Sequence, residues 1–584
     1  MATFTREEFF LTAFFIAIIG VFFSAFYFQP NLGGEGLFLP FNSVVWITVA
    51  IVVILAVWRM WQQQMIRLPA FWGWILAMPL LILLTGFIVG MEQPLSWMLR
   101  ISAIFLGFLF FFSLFQFNVR RHTLQNALYI LCGAFTLHGL VGVIQLLPGS
   151  LISGIIPNMA SQIPIGMFQQ PNLQASLMAT AVGLSVYLLS TPDFRSRPVL
   201  AKSLLLLCLL LSSFVLLSAG SRVGLLGGGA ALLLMVSCRL NLLKRNARWS
   251  LAMLVVLLVG GVGGLIINDG ALRAYSKMET LAEEGQDIRQ HVYRISWQAI
   301  KDKPLLGHGI GSFQTAFHEK AAEYQLENEN FKLTTQFSHP HNELLLWGVE
   351  SGIVGLLAFL CAVVTVLLQL FKLGWQRGGA MAALLLPIAL HTQVELPFYI
   401  SAYHWVVFLF LLFITFQSGH KTYPLHMSIA AGWMIRSVSV LLLAIVVVFC
   451  GSSLYYSQRI AYVVYSGEDR FTELSSISKH PYFTDIAMRL LLANLSKAER
   501  VTHDTAITLE YVKWMETYLK SNPDVGVFVD LIRVYDYLGD SVQMQRVIKR
   551  ALYFYNDQPL ILQAVEDLQK NASNQADASA LIAP

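Results

Sequence analysis

The chain has 584 residues, of which 56% are apolar and 12% charged, about half the ~25% charged share of a soluble domain. With a mean hydropathy of +0.62, this excludes a soluble enzyme, a nucleic-acid binder and a disordered chain, and points to a polytopic membrane protein with polar parts attached. The net charge of +5 tells less than where the basic residues sit.

A spanning helix needs about 20 apolar residues. The N-terminus opens on Arg6-Glu7-Glu8 and runs into apolar residues with no small-residue cleavage site. It reads as a retained first span and not as a removed signal peptide. Spans are expected near 9–28, 43–58, 70–90, 97–117, 124–147, 172–191, 203–219, 223–238, 249–267, 344–371, 379–400, 403–418 and 428–450, about thirteen in all. Alternate loops carry Arg59 and Arg67; Arg120 and Arg121; Arg195, Arg197 and Lys202; Arg239, Lys244, Arg245 and Arg248; Lys372 and Arg377; Lys421 and Arg436. The loops 29–42, 91–96 and 148–171 carry no Lys or Arg. Basic loops face the cytoplasm, so the long segment 268–341 and the tail from about 455 lie on the outer side, the periplasm in a bacterium. The five cysteines, Cys132, Cys208, Cys238, Cys361 and Cys450, sit singly in apolar runs and read as small helical hydrophobes.

The tail changes composition. From Ser466 charges are frequent and apolar residues recur at helical spacing. Helices are expected over 504–520, 524–538 and 541–555. The last two are parted by Gly539-Asp540, closed by Asn556-Asp557-Gln558-Pro559, and look like a tetratricopeptide-type unit of roughly 34 residues. The expected class is an all-α polytopic membrane protein in four parts. Residues 1–267 hold nine spans, 268–343 a large external loop, 344–450 four more spans, and 451–584 a helical C-terminal domain.

Chemistry-bearing residues are confined to a few places. The apolar run 203–237 holds a single charge, Arg222, in Ser218-Ala219-Gly220-Ser221-Arg222. An arginine there is costly unless it faces a polar cavity or an anion. The turn offers small residues and backbone N–H groups, so it reads as an outer-face anion site; the plainer alternative is a snorkelling loop arginine. Residues 289–313 read RQHVYRISWQAIKDKPLLGHGIGSF. A helix is expected over 290–301, ending before Pro304, with His291, Arg294, Trp297 and Gln298 on one face. Arg289 lies well round from Arg294 and ranks second, and Gly307, Gly309 and Gly311 make a tight turn. A solvated helix with ordinary charges is the plain alternative.

Ser338-His339-Pro340-His341-Asn342-Glu343 directly precedes a span. Two histidines two apart suggest metal ligation or acid–base work. No further ligands converge nearby in sequence, and Pro340 keeps the pair off one helical turn, so a general base is the better functional reading. Its alternative is an interfacial histidine without chemistry. Two more polar clusters face outward: Gly166-Met167-Phe168-Gln169-Gln170-Pro171-Asn172, and the stretch from His391 through Glu395 to Tyr399, with Tyr403 and His404. Intramembrane His, Gln and Glu are expensive and mark function by default, or serve as polar glue between helices.

In order and topology these motifs resemble the bacterial O-antigen ligase / O-oligosaccharyltransferase superfamily (the WaaL, Wzy and PglL types). The resemblance rests on Gln170-Pro171-Asn172, on Ser218 four residues before Arg222, on Arg294 and Trp297 followed by Pro304-Leu305-Leu306-Gly307, and on His341-Asn342-Glu343, and it covers roughly 10–420. Gln169 stands where the family usually has a glycine directly before Gln170. The tail resembles the C-terminal domain of the protein-glycosylating branch.

The resemblance implies an inner-membrane glycosyltransferase whose active site and tail face the periplasm. Its donor is a glycan on undecaprenyl diphosphate, and its acceptor a hydroxyl, in this branch a Ser or Thr of a pilin-like protein. Arg222 and Arg294 match the family's diphosphate-binding arginines and His341 its histidine base, flanked by Asn342 and Glu343. Gln170, Asn172, Arg289, His339, Asn342, Glu343, Glu395, Tyr399 and Tyr403 are the expected substrate contacts. The implied reaction is an inverting displacement that needs no metal or cofactor and involves no nucleic acid. Transfer to lipid A-core and glycan polymerisation are alternatives within the superfamily. Outside it, a metal-dependent lipid-sugar transferase is opposed by a first external loop with only Glu35 and no Asp-x-Asp. A lipid-linked glycan flippase would show internal repeats and inner-facing charges, and neither is seen.

Overall fold

The computed structural model describes residues 6–90, 93–152, 154–268, 288–328, 331–467, 470–502 and 505–582. The part of the expected external loop at 269–287 lies outside these, as does Asp504 at the start of an expected tail helix. The chain forms two compact units. One takes Met1–Pro79, Ile101–Gly285 and Leu360–Tyr462; the other takes Leu80–Arg100, Gln286–Phe359 and Val463–Pro584.

The helices in chain order are α1 Arg6–Phe23, α2 Pro40–Gln63, α3 Trp72–Val89, α4 Pro94–Gln116, α5 Arg121–Ile144, α6 Pro171–Leu189, α7 Val199–Ser218, α8 Arg222–Arg245 and α9 Ala247–Asn268. They continue with α10 Ile288–Asp302, α11 Phe313–Glu327, α12 Glu343–Lys372, α13 Gly374–His391, α14 Pro397–Ile400, α15 Ala402–Phe416 and α16 Ile429–Ser466. The tail adds α17 Phe471–Ile477, α18 Thr484–Thr502, α19 Ala506–Ser521, α20 Val525–Tyr537, α21 Ser541–Phe554 and α22 Pro559–Ile582.

Among the described residues, eleven helices are long and apolar enough to cross a membrane: α1 to α9, α12 and α16. The chain is a multi-pass membrane protein. The other two expected spans, 379–400 and 403–418, correspond to α13 and α15 and fall outside that set. α13 stops in a turn after His391, and α15 has 15 residues, short of the ~20 that a bilayer asks for.

The first unit is built on close helix packing. α6 is almost wholly buried, and its Ala175 and Ala179 meet Gly224 and Gly228 of α8. A Cβ on Gly224 would lie 2.5 Å from that of Ala175. Gly227 faces Pro387 of α13 at 3.2 Å by the same measure. Small residues let membrane helices approach closely where apolar burial offers no preference between protein and lipid. They bring the N-termini of α6 and α8 and the C-terminus of α13 to one place. A two-stranded antiparallel pair, Met65–Leu68 with Lys421–Pro424, is also part of this unit.

In the second unit α12 is interrupted at Gly352, whose φ is 59°. A broken helix exposes backbone groups that lipid cannot satisfy. The turn after α10 supplies the partners. His308 N–H donates to Val349 O at 2.8 Å and Gly309 N–H to Glu350 O at 3.0 Å. Past the break, Ile353 N–H donates to Pro304 O at 2.8 Å and Val354 N–H to Leu305 O at 3.3 Å. The Pro-Leu-Leu-Gly motif is thus the plug of a broken helix. Beside it the fully buried Glu350 pairs with Arg100 at 2.6 Å.

α10 and α11 pack together, clamped by Lys320, which reaches Asp302 at 2.7 Å and Glu323 at 2.6 Å. Both flanking carboxylates push the Lys320 pKa up. The tail helices lie in the same unit and bind α11: Thr315 Oγ1 donates to Ser521 O at 3.2 Å, and Gln325 Nε2 to Phe554 O at 3.0 Å. Asp524 and Asp540 cap α20 and α21, which start at 525 and 541 against expected starts of 524 and 541.

A Cβ on Gly307 would lie 2.5 Å from the backbone of Glu350 and Ser351, and one on Gly352 2.6 Å from Gly307 N. Gly307→Ala and Gly352→Ala should each lower stability by about 2 kcal/mol or more, because backbone cannot yield as a side chain can and both glycines have positive φ. Gly133→Ala, which meets open space, should stay within about 1 kcal/mol of the parent. Thermal melting of the three detergent-purified variants checks both statements.

Candidate functional site

The first constellation lies in the first unit, at the joint N-termini of α6 and α8. Gln170 is the N-cap residue of α6, followed by Pro171 at the first helical position, where no N–H is needed. The loop before it is held by Gln145. Its Oε1 accepts from Ile165 and Gly166 N–H at 3.0 and 2.8 Å, and its Nε2 donates to Pro157 O and Gly166 O at 2.7 and 3.0 Å. Gln169, in the place of the usual glycine, has φ 58°. The left-handed conformation costs a non-glycine residue about 1 kcal/mol. Its side chain donates to Asn31 Oδ1 at 3.1 Å.

Glu395, just after α13, is the hub. Gln170 Nε2 donates to Oε1, Asn172 Nδ2 to Oε2 at 3.2 Å, and His391 Nε2 sits 2.8 Å from Oε2. On its other side His391 Nδ1 is 2.9 Å from Ser176 Oγ. Asn172 Oδ1 accepts from Ser221 Oγ at 2.7 Å, and Ser221 also caps α8 by accepting from Gly224 N–H at 3.2 Å. Gln170 Oε1 is buried and among the described residues has no hydrogen-bond partner.

Arg222 follows as the first residue of α8, half-buried. A cation at the positive end of a helix dipole is misplaced unless an anion joins it. Among the described residues no carboxylate pairs with it. Tyr399, in α14 shortly after Glu395, is half-buried. Tyr403 is fully buried, and its hydroxyl donates to Phe22 O at 2.9 Å.

The second constellation lies in the second unit. Arg294 is exposed on α10 and donates through Nη1 to Tyr324 Oη of α11 at 3.3 Å. Tyr324 O–H is then directed to His291 Nδ1, 3.2 Å away. Burial, and then the Arg294 charge, lower the His291 pKa. Arg289 lies half-buried in the first turn of α10.

His341 adopts φ 54°, strained for a non-glycine residue. Its N–H donates to His339 Nδ1 at 3.2 Å, and the two rings meet edge to face at 4.5 Å. Asn342 caps α12, its Oδ1 accepting from Leu345 N–H at 3.0 Å. The buried Glu343 accepts from Trp347 Nε1 at 2.9 Å.

Sequence reasoning missed Ser176, Ser221, Tyr324 and His318. Ser176 and Tyr324 sit at ordinary helical positions and Ser221 at the N-cap of α8, and only helix packing brings them to their partners. His318 is fully buried in α11. Phe337 N–H donates to its Nε2 at 3.3 Å, so the proton is on Nδ1, which donates to Gln314 O at 2.7 Å.

Three protein families match the chain. Residues 206–360 match the family described as O-antigen ligase, a range that holds Arg222, Arg294 and His341. Residues 380–569 match the C-terminal part of the virulence factor membrane-bound polymerases. Residues 164–189 match the protein glycosylation ligases, a range that holds Gln170 and Asn172. No curated protein matches the chain.

Burial pushes the His318 pKa down to about 4, against about 6.5 for a free histidine. The unfolded chain therefore takes up this proton first as pH falls. The His318 contribution to stability is complete above pH ~6.5 and is lost on descent to pH ~4, amounting to about 3 kcal/mol. Melting temperatures from pH 7.5 to 4.5 should fall more steeply for the parent than for His318→Phe; parallel curves would show that His318 takes up its proton equally readily in the folded and the unfolded chain.

Proposed function

The chain belongs to the O-antigen ligase / O-oligosaccharyltransferase superfamily, and on that premise we propose that it is a protein O-oligosaccharyltransferase of the bacterial inner membrane. The donor is a glycan on undecaprenyl diphosphate, and the acceptor a Ser or Thr hydroxyl of a periplasmic, pilin-like protein. The observation that carries this reading is His341. It is held in a left-handed backbone conformation beside His339, immediately before a capped span, and strain of this kind is retained where function over-determines it.

The residues take roles that their chemistry suits. A hydroxyl is a poor nucleophile near neutral pH, and His341 accepts its proton as attack begins, typically a 10²–10⁴-fold effect. The acceptor oxygen bonds to the anomeric carbon on one face while the carbon–oxygen bond to the diphosphate breaks on the other. The electron pair leaves with undecaprenyl diphosphate, and the configuration inverts. Arg222 and Arg294 are each assigned to donor phosphate oxygens, for which a planar, always charged fork is suited. Gln170 Oε1, the buried acceptor left over in the Glu395 network, is assigned to a sugar hydroxyl, with Asn172 and Glu395 holding it in place. His339, Asn342 and Glu343 position His341, while Arg289 and Tyr399 line the substrate path. No metal or cofactor is invoked.

The match of residues 380–569 to membrane-bound polymerases favours a second reading, in which the acceptor is the hydroxyl of another glycan chain. Intact-mass spectrometry of a periplasmic pilin, from cells with and without this protein, separates the two. A glycan mass that disappears with the protein supports transfer to protein. An unchanged pilin beside a shortened surface polysaccharide supports polymerisation.

His341→Ala should abolish transfer while donor-lipid binding persists; activity within about threefold of the parent would remove His341 from the mechanism. Arg222→Lys and Arg294→Lys should each lose about tenfold or more, because lysine keeps the charge but not the fork. Full activity of both would reduce the arginines to net charge. Deleting the chain after Gly467 should lower transfer to the protein acceptor more than it lowers donor binding.

A further inference from the structure

We propose that His318 is a positioning residue that sets the place of His341 by pinning the loop in front of it, and that the tail holds His318 in turn. This rests on the reading of His341 as the base. The loop from Leu333 to Asn342 has no regular structure, so its shape depends on a few fixed points. At one end Leu333 N–H donates to Gln325 Oε1 at 2.8 Å, and at the other Asn342 caps α12. Between them Phe337 N–H ends on His318 Nε2. Phe337 then presents its ring edge to face against His341, with centroids 6.1 Å apart and planes at 89°.

The task asks for one side chain that donates in one direction and accepts in the other. Neutral imidazole with its proton on Nδ1 does so, donating one turn back to Gln314 O and accepting from the loop. A charged ring would set two N–H groups against each other. Burial of the ring, which holds its pKa at about 4, keeps it neutral in the working range.

The ring is enclosed by Phe317 at 5.4 Å and by Tyr555 of the tail at 5.9 Å. Tyr555 is itself fully buried and donates from its hydroxyl to Pro523 O at 2.6 Å, locking the end of α21 to the turn before α20. A path of direct contacts therefore runs from the tail through Tyr555, His318 and Phe337 to His341. The strained φ of His341 makes the path necessary, since a loop released at Phe337 relaxes toward ordinary backbone angles.

Three variants of the full-length protein in detergent test this: His318→Phe, which keeps the ring volume and removes both hydrogen bonds; His318→Gln, which retains a donor and an acceptor; and Tyr555→Ala. Hydrogen–deuterium exchange and steady-state transfer are measured on each. For His318→Phe the expected result is faster exchange confined to 333–342, with kcat lowered about tenfold to a hundredfold and donor KM unchanged, as for a reacting group displaced by about 1 Å. His318→Gln should recover most of both, and Tyr555→Ala should show the same local exchange more weakly. The proposal is overturned if His318→Phe leaves exchange at 333–342 unchanged, if exchange rises throughout α11 and the tail, or if the Gln and Phe variants lose equally. The exchange measurement needs no turnover. Exchange as expected with kcat unchanged would therefore leave the loop latch standing and count against His341 as the base.

Discussion

Two glycines pressed backbone to backbone govern the second unit. Gly352 breaks α12, and Gly307 brings the turn after α10 close enough to take up the backbone groups that the break exposes. In lipid an unsatisfied backbone amide costs several kcal/mol, so a broken span requires such a plug. The plug settles the path of residues 343–351, which carry Asn342's cap and the buried Glu350, paired with Arg100. It also ends α10 and so places Arg294. Arg100 is partly exposed, and without it Glu350 would be a buried carboxylate with no cation beside it. The loop that bears His341 starts from a fixed base.

The first unit solves a related problem with side chains. A carboxylate buried among apolar helices is tolerable only with several donors around it. Glu395 accepts from Gln170 and Asn172 and faces His391, and those donors come from two helices. The network extends through Ser221 to the first turn of α8. Arg222 at that terminus has no carboxylate partner among the described residues, and a guanidinium at the positive end of a helix invites an anion. A phosphate group suits it in charge and in shape.

The tail belongs in the same account as α10 and α11. It hydrogen-bonds α11 at Ser521 and Phe554, and α11 carries Tyr324 and His318, which hold Arg294 and the His341 loop. The match to membrane-bound polymerases, over 380–569, takes in most of the tail.

Much was legible in the sequence. Membrane residence follows from composition, because a bilayer demands apolar length. The helices expected over 290–301, 524–538 and 541–555 are found at 288–302, 525–537 and 541–554, because proline, glycine and capping residues act on their immediate neighbours. Arg222 stood out because a charge in an apolar run is costly, Arg294 because it shares one helical face with His291, Trp297 and Gln298, and His341 because it follows His339 by two residues directly before a span. The motif glycines were read as a tight turn, and their partner at Gly352 was not foreseen. Only packing decided that Glu395, His391, Gln170, Asn172 and Ser221 share one network, that Tyr403 turns inward to Phe22, and that His318 supports the loop. Those contacts join positions up to 381 residues apart. A sequence reports the cost of placing a polar group locally; which distant group repays it is a property of the assembled helices.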